Sequence, residues 1–91
     1  MEFKNYKPEN GKLLKIFVEF SGSKIKQFKL RGDFFMHPES SLEILEDFML
    51  DLDMSKNFTQ DLERFLTDNQ IQVFGFKPCD LYDFLTMQYE G

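Results

Sequence analysis

The chain has no tryptophan, a single cysteine and a single histidine. One cysteine, Cys79, rules out an internal disulfide and makes a reducing cytoplasm the expected compartment. Zinc needs three or four N, S or O ligands at suitable spacing. His37 and Cys79 have 41 residues between them, so no metal site is expected. A Cys–His nucleophile pair stays formally open, but a lone cysteine in the first turn of an amphipathic helix reads as packing. Neither G-x-x-x-x-G-K-[ST] nor G-x-G-x-x-G occurs, and Gly11-Lys12 precedes a strand rather than a helix, so no phosphate-cradling loop is expected. Asp and Glu lie mostly along helix faces that ought to be solvated, and no pair of them marks an acid–base site. Apolar runs such as Ile16-Phe17-Val18 are far too short to span a bilayer. The opening Met1-Glu2-Phe3-Lys4 carries no basic region followed by an apolar block, so no secretory signal is expected. No catalytic residue and no metal ligand can be nominated. The chemistry is that of a binding module, or of the non-catalytic part of something larger.

What is present bounds the fold. Ninety-one residues, 42% hydrophobic and 30% charged, fit one globular domain spanning 1–91. Twelve phenylalanines are many for so small an interior, and exposed ones clustered together would mark an interaction surface. The net charge of −5 is unevenly spread. Residues 1–32 carry eight Lys/Arg against three Asp/Glu, and residues 33–91 carry three against thirteen. One reading is solvated lysine faces on strands and solvated acidic faces on helices. The other is a basic surface that attracts an anionic partner. Nucleic acid is not expected as that partner, because the whole chain is acidic and lacks an aromatic-basic RNA-binding signature. No membrane association is expected either.

Periodicity gives the elements. Residues 13–20 alternate, with Leu14, Ile16, Val18 and Phe20 on one face, as in a half-buried strand. Ser21-Gly22-Ser23 reads as a three-residue loop into a second strand with Phe28 and Leu30 on one face. That register sets Ile16 opposite Phe28 and Leu14 opposite Leu30, whereas a two-residue loop would turn the second strand's side chains to the wrong face. Residues 3–6 read as a short extra strand. Ser40 and Glu43 then suggest a capping box for a helix with Leu42, Leu45, Phe48 and Met49 against polar Glu43, Glu46 and Asp47. A second helix follows, with Phe58, Leu62, Phe65 and Leu66 inward and Asn57 or Thr59 as cap. Ile71 and Val73 mark a short third strand ending near Gly75. Pro78 opens a last helix that packs through Leu81, Phe84 and Leu85, with Tyr89 as an extension of that face. The fold class is α+β: a small antiparallel sheet, made of a β-hairpin plus a short third strand, with about three helices packed on one face.

Gly32-Asp33-Phe34-Phe35 ends the second strand. Gly32 suits a bend or bulge, and Asp33 is placed to accept backbone amide hydrogen bonds and close it. Adjacent residues in extended chain point to opposite faces, so one of Phe34 and Phe35 enters the core and the other needs a cover. That cover is either the following helix or another protein.

The stretch from Gly11-Lys12-Leu13 through Gly32-Asp33-Phe34-Phe35 and Pro38 to the Leu45-Glu46 helix resembles the accessory domain at the C-terminus of bacterial lipoate–protein ligases, which in archaea can be a separate small subunit. The match is best over residues 11–49. Over 50–91 only the order of elements agrees, and Asp51 stands where the family more often has Gly. The resemblance implies a non-catalytic subunit, required by a large catalytic subunit to activate lipoate with ATP to lipoyl-AMP and largely dispensable for transfer to the lysine of a lipoyl domain. ATP, Mg and lipoate would be bound by that partner, none by this chain, and lipoyl domain proteins would be met indirectly. Gly32, Asp33, Phe34 and Phe35 would be the partner-binding positions and Lys12 would face the active site. Because the chain opens at Met1 shortly before the family's first strand, it is expected to be a standalone subunit. An adaptor that binds a different partner through the same Phe-rich face is the alternative.

Overall fold

Lys4–Tyr6 (β1), Leu14–Ser21 (β2) and Lys24–Gly32 (β3) form an antiparallel sheet in the order β1-β2-β3. The computed structural model describes residues 2–89. The remaining elements are Phe35–His37 (β4), Ser41–Met49 (α1), Thr59–Asp68 (α2), Gln72–Phe74 (β5) and Pro78–Gln88 (α3). The class is α+β, as the periodicity predicts. The short third strand, β5, does not extend the hairpin sheet. It pairs antiparallel with β4 in a separate two-stranded sheet, and β1 widens the hairpin instead.

The hairpin register differs from the expected one. Ile16 faces Leu30 and Val18 faces Phe28, while Ser21 faces Lys24 across a two-residue loop with Gly22 at φ 60°. The parity objection to a two-residue loop is met by a bulge. Glu19 pairs with Gln27 and Phe20 with Ile25, which leaves Lys26 as an extra residue. The bulge lets Ile25, Phe28 and Leu30 all be buried despite the odd spacing between the first two. That spacing was the visible sign of it in the sequence.

The core lies between the Leu14/Ile16/Phe28/Leu30 face of the sheet and the helices, which contribute Leu45, Met49, Leu62, Leu66, Leu81, Phe84 and Leu85. Each helix buries the stripe its periodicity predicts, and Pro78 occupies the first turn of α3. Tyr89 packs edge-on against Phe20 with ring centroids 5.2 Å apart. Phe48 of α1 stacks on Phe65 of α2 at 4.2 Å, which ties the two helices together.

Helix starts are only partly as expected. Ser40 makes no side-chain capping bond. It is itself in helical geometry, and the turn is closed by the main chain, with the Ser41 N–H donating to the Pro38 carbonyl at 3.0 Å. Neither Asn57 nor Thr59 is the cap of α2: Phe58 holds that position without a side-chain capping bond, and Asn57, one residue further out, accepts the Thr59 N–H through its Oδ1 at 2.9 Å. Glu46, expected among solvated residues of α1, is only 8% exposed. The helix packs against β3 so closely that this carboxylate reaches the strand.

Candidate partner-binding surface

Three chain segments meet where β3 ends: Gly11-Lys12 before β2, Gly32 to Phe35, and Phe74-Gly75-Phe76 at the end of β5. Their approach is close enough to demand glycine. Gly32 has φ 135°, and a Cβ there would run into the Leu13 carbonyl oxygen and lie 3.0 Å from Leu14 Cα. Gly75 has φ 114°, with room for a Cβ only 3.0 Å from Phe34 Cα and 3.2 Å from Lys12 Cγ. Main-chain bonds lock the junction. The Lys12 N–H donates to the Gly75 carbonyl at 2.8 Å, and the Asp33 N–H donates to the Leu13 carbonyl at 2.9 Å.

Asp33 therefore holds the bend through its backbone. Among the described residues no hydrogen bond reaches its carboxylate, which is exposed, contrary to the expected role as an acceptor. The backbone of Leu13 already supplies the acceptor that closes this turn.

The two phenylalanines part as the alternation requires. Phe34 is half-buried and packs edge-on against Phe76, ring centroids 5.5 Å apart. Phe35 leaves the core, 53% exposed, and no helix covers it. It faces Phe74, itself 57% exposed, across the β4–β5 ladder, with ring centroids 6.2 Å apart. His37 and Gln72, opposite one another in the same ladder, are also exposed. Of the twelve phenylalanines only three are exposed, and two of those form this pair. Two adjacent part-exposed rings make this the candidate contact surface.

Lys12 is exposed beside this junction and makes no ion pair among the described residues. Sequence reasoning thus named Gly32, Asp33, Phe34, Phe35 and Lys12, and the structure places all five at this junction. It missed Phe74 and Gly75. Placing Ile71 and Val73 on the inner face puts Phe74 on the outer one, so the signal was available, but not its pairing with Phe35. Among the described residues no group of three or more His, Cys, Asp or Glu could hold a metal, and no helix is long and apolar enough to cross a membrane.

No protein-family model matches the chain. It is similar to lipoate-protein ligase A subunit 2 of Thermoplasma acidophilum, 32% identical over 80 residues that make up 88% of this chain and 82% of that protein. Its structure is similar to a chain in an archaeal lipoylation system from the same organism, comprising a bipartite lipoate protein ligase and its E2 lipoyl domain. The TM-score is 0.70 with 30% identity, over 91% of either chain.

Proposed function

Because this chain belongs to the lipoate-protein ligase A subunit 2 family, we propose that it is the non-catalytic subunit of a two-chain lipoate–protein ligase. In this reading a large subunit carries out ATP-dependent activation of lipoate to lipoyl-AMP, and this chain is required for that step. Transfer to the lysine of a lipoyl domain follows on the large subunit.

The observation that carries the reading is the exposed Phe35–Phe74 pair on a glycine-braced junction. Two rings held on paired strands lose little freedom on docking, which favours a rigid anchor for a partner. Lipoyl-AMP is a mixed anhydride and is hydrolysed if water reaches it. A subunit that seats on the large chain and closes its site excludes that water. Lys12, beside the aromatic pair, would then face the anionic site. In this reading ATP, Mg and lipoate are bound by the large subunit.

The test is ATP- and lipoate-dependent formation of lipoyl-AMP by the cognate large subunit, with and without this chain. Adenylation that depends on mixing, with transfer from pre-made lipoyl-AMP unaffected, supports the accessory role. Equal adenylation by the large subunit alone refutes it. Binding without stimulation would instead favour an adaptor.

A further inference from the structure

The chain has four asparagines, and only Asn10 precedes a glycine. It is exposed, and its carboxamide has no hydrogen-bond partner among the described residues. Asn57 and Asn69, by contrast, are engaged: Asn57 Oδ1 accepts the Thr59 N–H and Asn69 Nδ2 donates to the Phe65 carbonyl, each at 2.9 Å. Asn10 is the third residue of a turn closed by the Gly11 N–H, which donates to the Pro8 carbonyl at 3.0 Å. Its φ of 63° is a left-handed value that asparagine and glycine tolerate and most side chains avoid.

The next residue has to be glycine. A Cβ on Gly11 would lie 2.6 Å from both the Gly75 carbonyl oxygen and Pro8 Cγ. The turn thus calls for Asn followed by Gly, and that pair has a chemistry of its own. No side chain on Gly11 stands in the way, so its main-chain nitrogen, once deprotonated by hydroxide, attacks Asn10 Cγ. The N–Cγ bond forms, the Cγ–Nδ2 bond breaks, and the carboxamide nitrogen leaves as ammonia with a proton from water. Water then opens the five-membered imide at either carbonyl. One opening gives an aspartate at position 10, the other an isoaspartate whose main chain runs through Cβ and Cγ. The Gly11–Pro8 hydrogen bond is a single turn contact at the surface, and local opening frees the nitrogen.

We infer that Asn10-Gly11 is a site of spontaneous deamidation, and that its isoaspartate product disables docking to the large chain. The second clause rests on the two-chain reading above. Isoaspartate adds one methylene to the main chain directly before Gly11, where there is no slack. Gly11 lies against Pro8 and Gly75, and the Lys12 N–H is tied to the Gly75 carbonyl at 2.8 Å. Asn10, Gly11, Phe74 and Gly75 line one groove of about 280 Å³. Lengthening one wall of that groove shifts the support of Phe74, half of the aromatic pair. A large chain seated on the pair restrains the same turn, so the complex protects Asn10 while the free chain ages.

The test is incubation of the full chain in warm, mildly alkaline buffer, free and in complex with the cognate large subunit. Peptide mass spectrometry and enzymatic methylation of isoaspartate then read the products. In the free chain the peptide carrying residue 10 is expected to gain the amide-to-acid mass shift, with Asn5, Asn57 and Asn69 unchanged. In the complex the same conversion should be about tenfold slower. Chain bearing isoaspartate should bind the large subunit with a Kd raised about tenfold over fresh chain. Asn10→Gly, which suits the left-handed turn and has no carboxamide, should show neither change. No conversion at residue 10 of the folded chain, an equal rate in the complex, or conversion with an unchanged Kd overturns this inference and leaves the two-chain reading standing. Fresh chain that forms no complex overturns the two-chain reading, and the docking consequence with it.

Discussion

The Leu30 amide of β3 donates to the Glu46 carboxylate of α1 at 2.9 Å, so a helix side chain takes the place that a further strand would occupy. The same carboxylate oxygen accepts Arg31 Nη1 at 2.9 Å, and Lys29 Nζ lies 3.9 Å from its other oxygen. One buried acid thus fixes the helix to the strand and blocks that part of the sheet edge.

Removing it should cost more than an average hydrogen bond. Glu46→Ala leaves the Leu30 N–H without an acceptor and is expected to destabilise the fold by about 3 kcal/mol. Glu46→Gln keeps an acceptor and should cost about 1 kcal/mol. Urea unfolding at neutral pH separates the two. Equal losses would mean that the charge, not the strand contact, matters.

Gly32 has no alternative. Gly32→Ala places a methyl group against the Leu13 carbonyl in a backbone region that side chains avoid. A loss of about 3 kcal/mol is expected in thermal or urea unfolding. A loss under about 1 kcal/mol would show that the junction relaxes.

Asp51 sits just after the end of α1 with φ 70°, a conformation suited to glycine. A glycine, which the resemblance leads one to expect there, would adopt this conformation without strain. Asp51→Gly should be neutral to stabilising, by at most about 0.5 kcal/mol, because relief of strain is offset by a freer unfolded chain. Destabilisation beyond about 1 kcal/mol would mean that the Asp51 side chain has a structural role.

Phe35→Ser combined with Phe74→Ser should change stability by about 1 kcal/mol or less, since both rings are already in water. Binding to the large subunit should weaken by about 100-fold, the loss typical of a central aromatic anchor. Calorimetric titration with matched unfolding curves distinguishes a docking effect from misfolding.

Asp53 predicts the acid limb. The Ser55 backbone N–H at 2.9 Å, the Ser55 and Ser23 hydroxyls and nearby Lys24 hold its carboxyl below the ordinary 3.8. A depressed folded value contributes stability that is present above pH 3.8 and lost as pH falls through the folded value. Asp53→Asn should therefore flatten the loss of stability below about pH 4. An unchanged acid limb would assign it to other carboxylates.

The sequence alone determined what depends on near neighbours. Period-two and period-3.6 patterns set which faces of β2, α1, α2 and α3 are apolar, and adjacency in extended chain required Phe34 and Phe35 to part. Gly32 is legible for the same reason, since backbone strain is local. The tertiary structure decided what depends on partners distant in sequence. Ile71 and Val73 mark a strand, but only packing settles that it pairs with Phe35–His37 and so brings Phe74 beside Phe35. The bulge at Lys26 is chosen by the need to bury Ile25 together with Phe28. Glu46 looks like any solvated helix acid until α1 is laid against β3, where an unpaired strand amide makes burial of its carboxylate favourable.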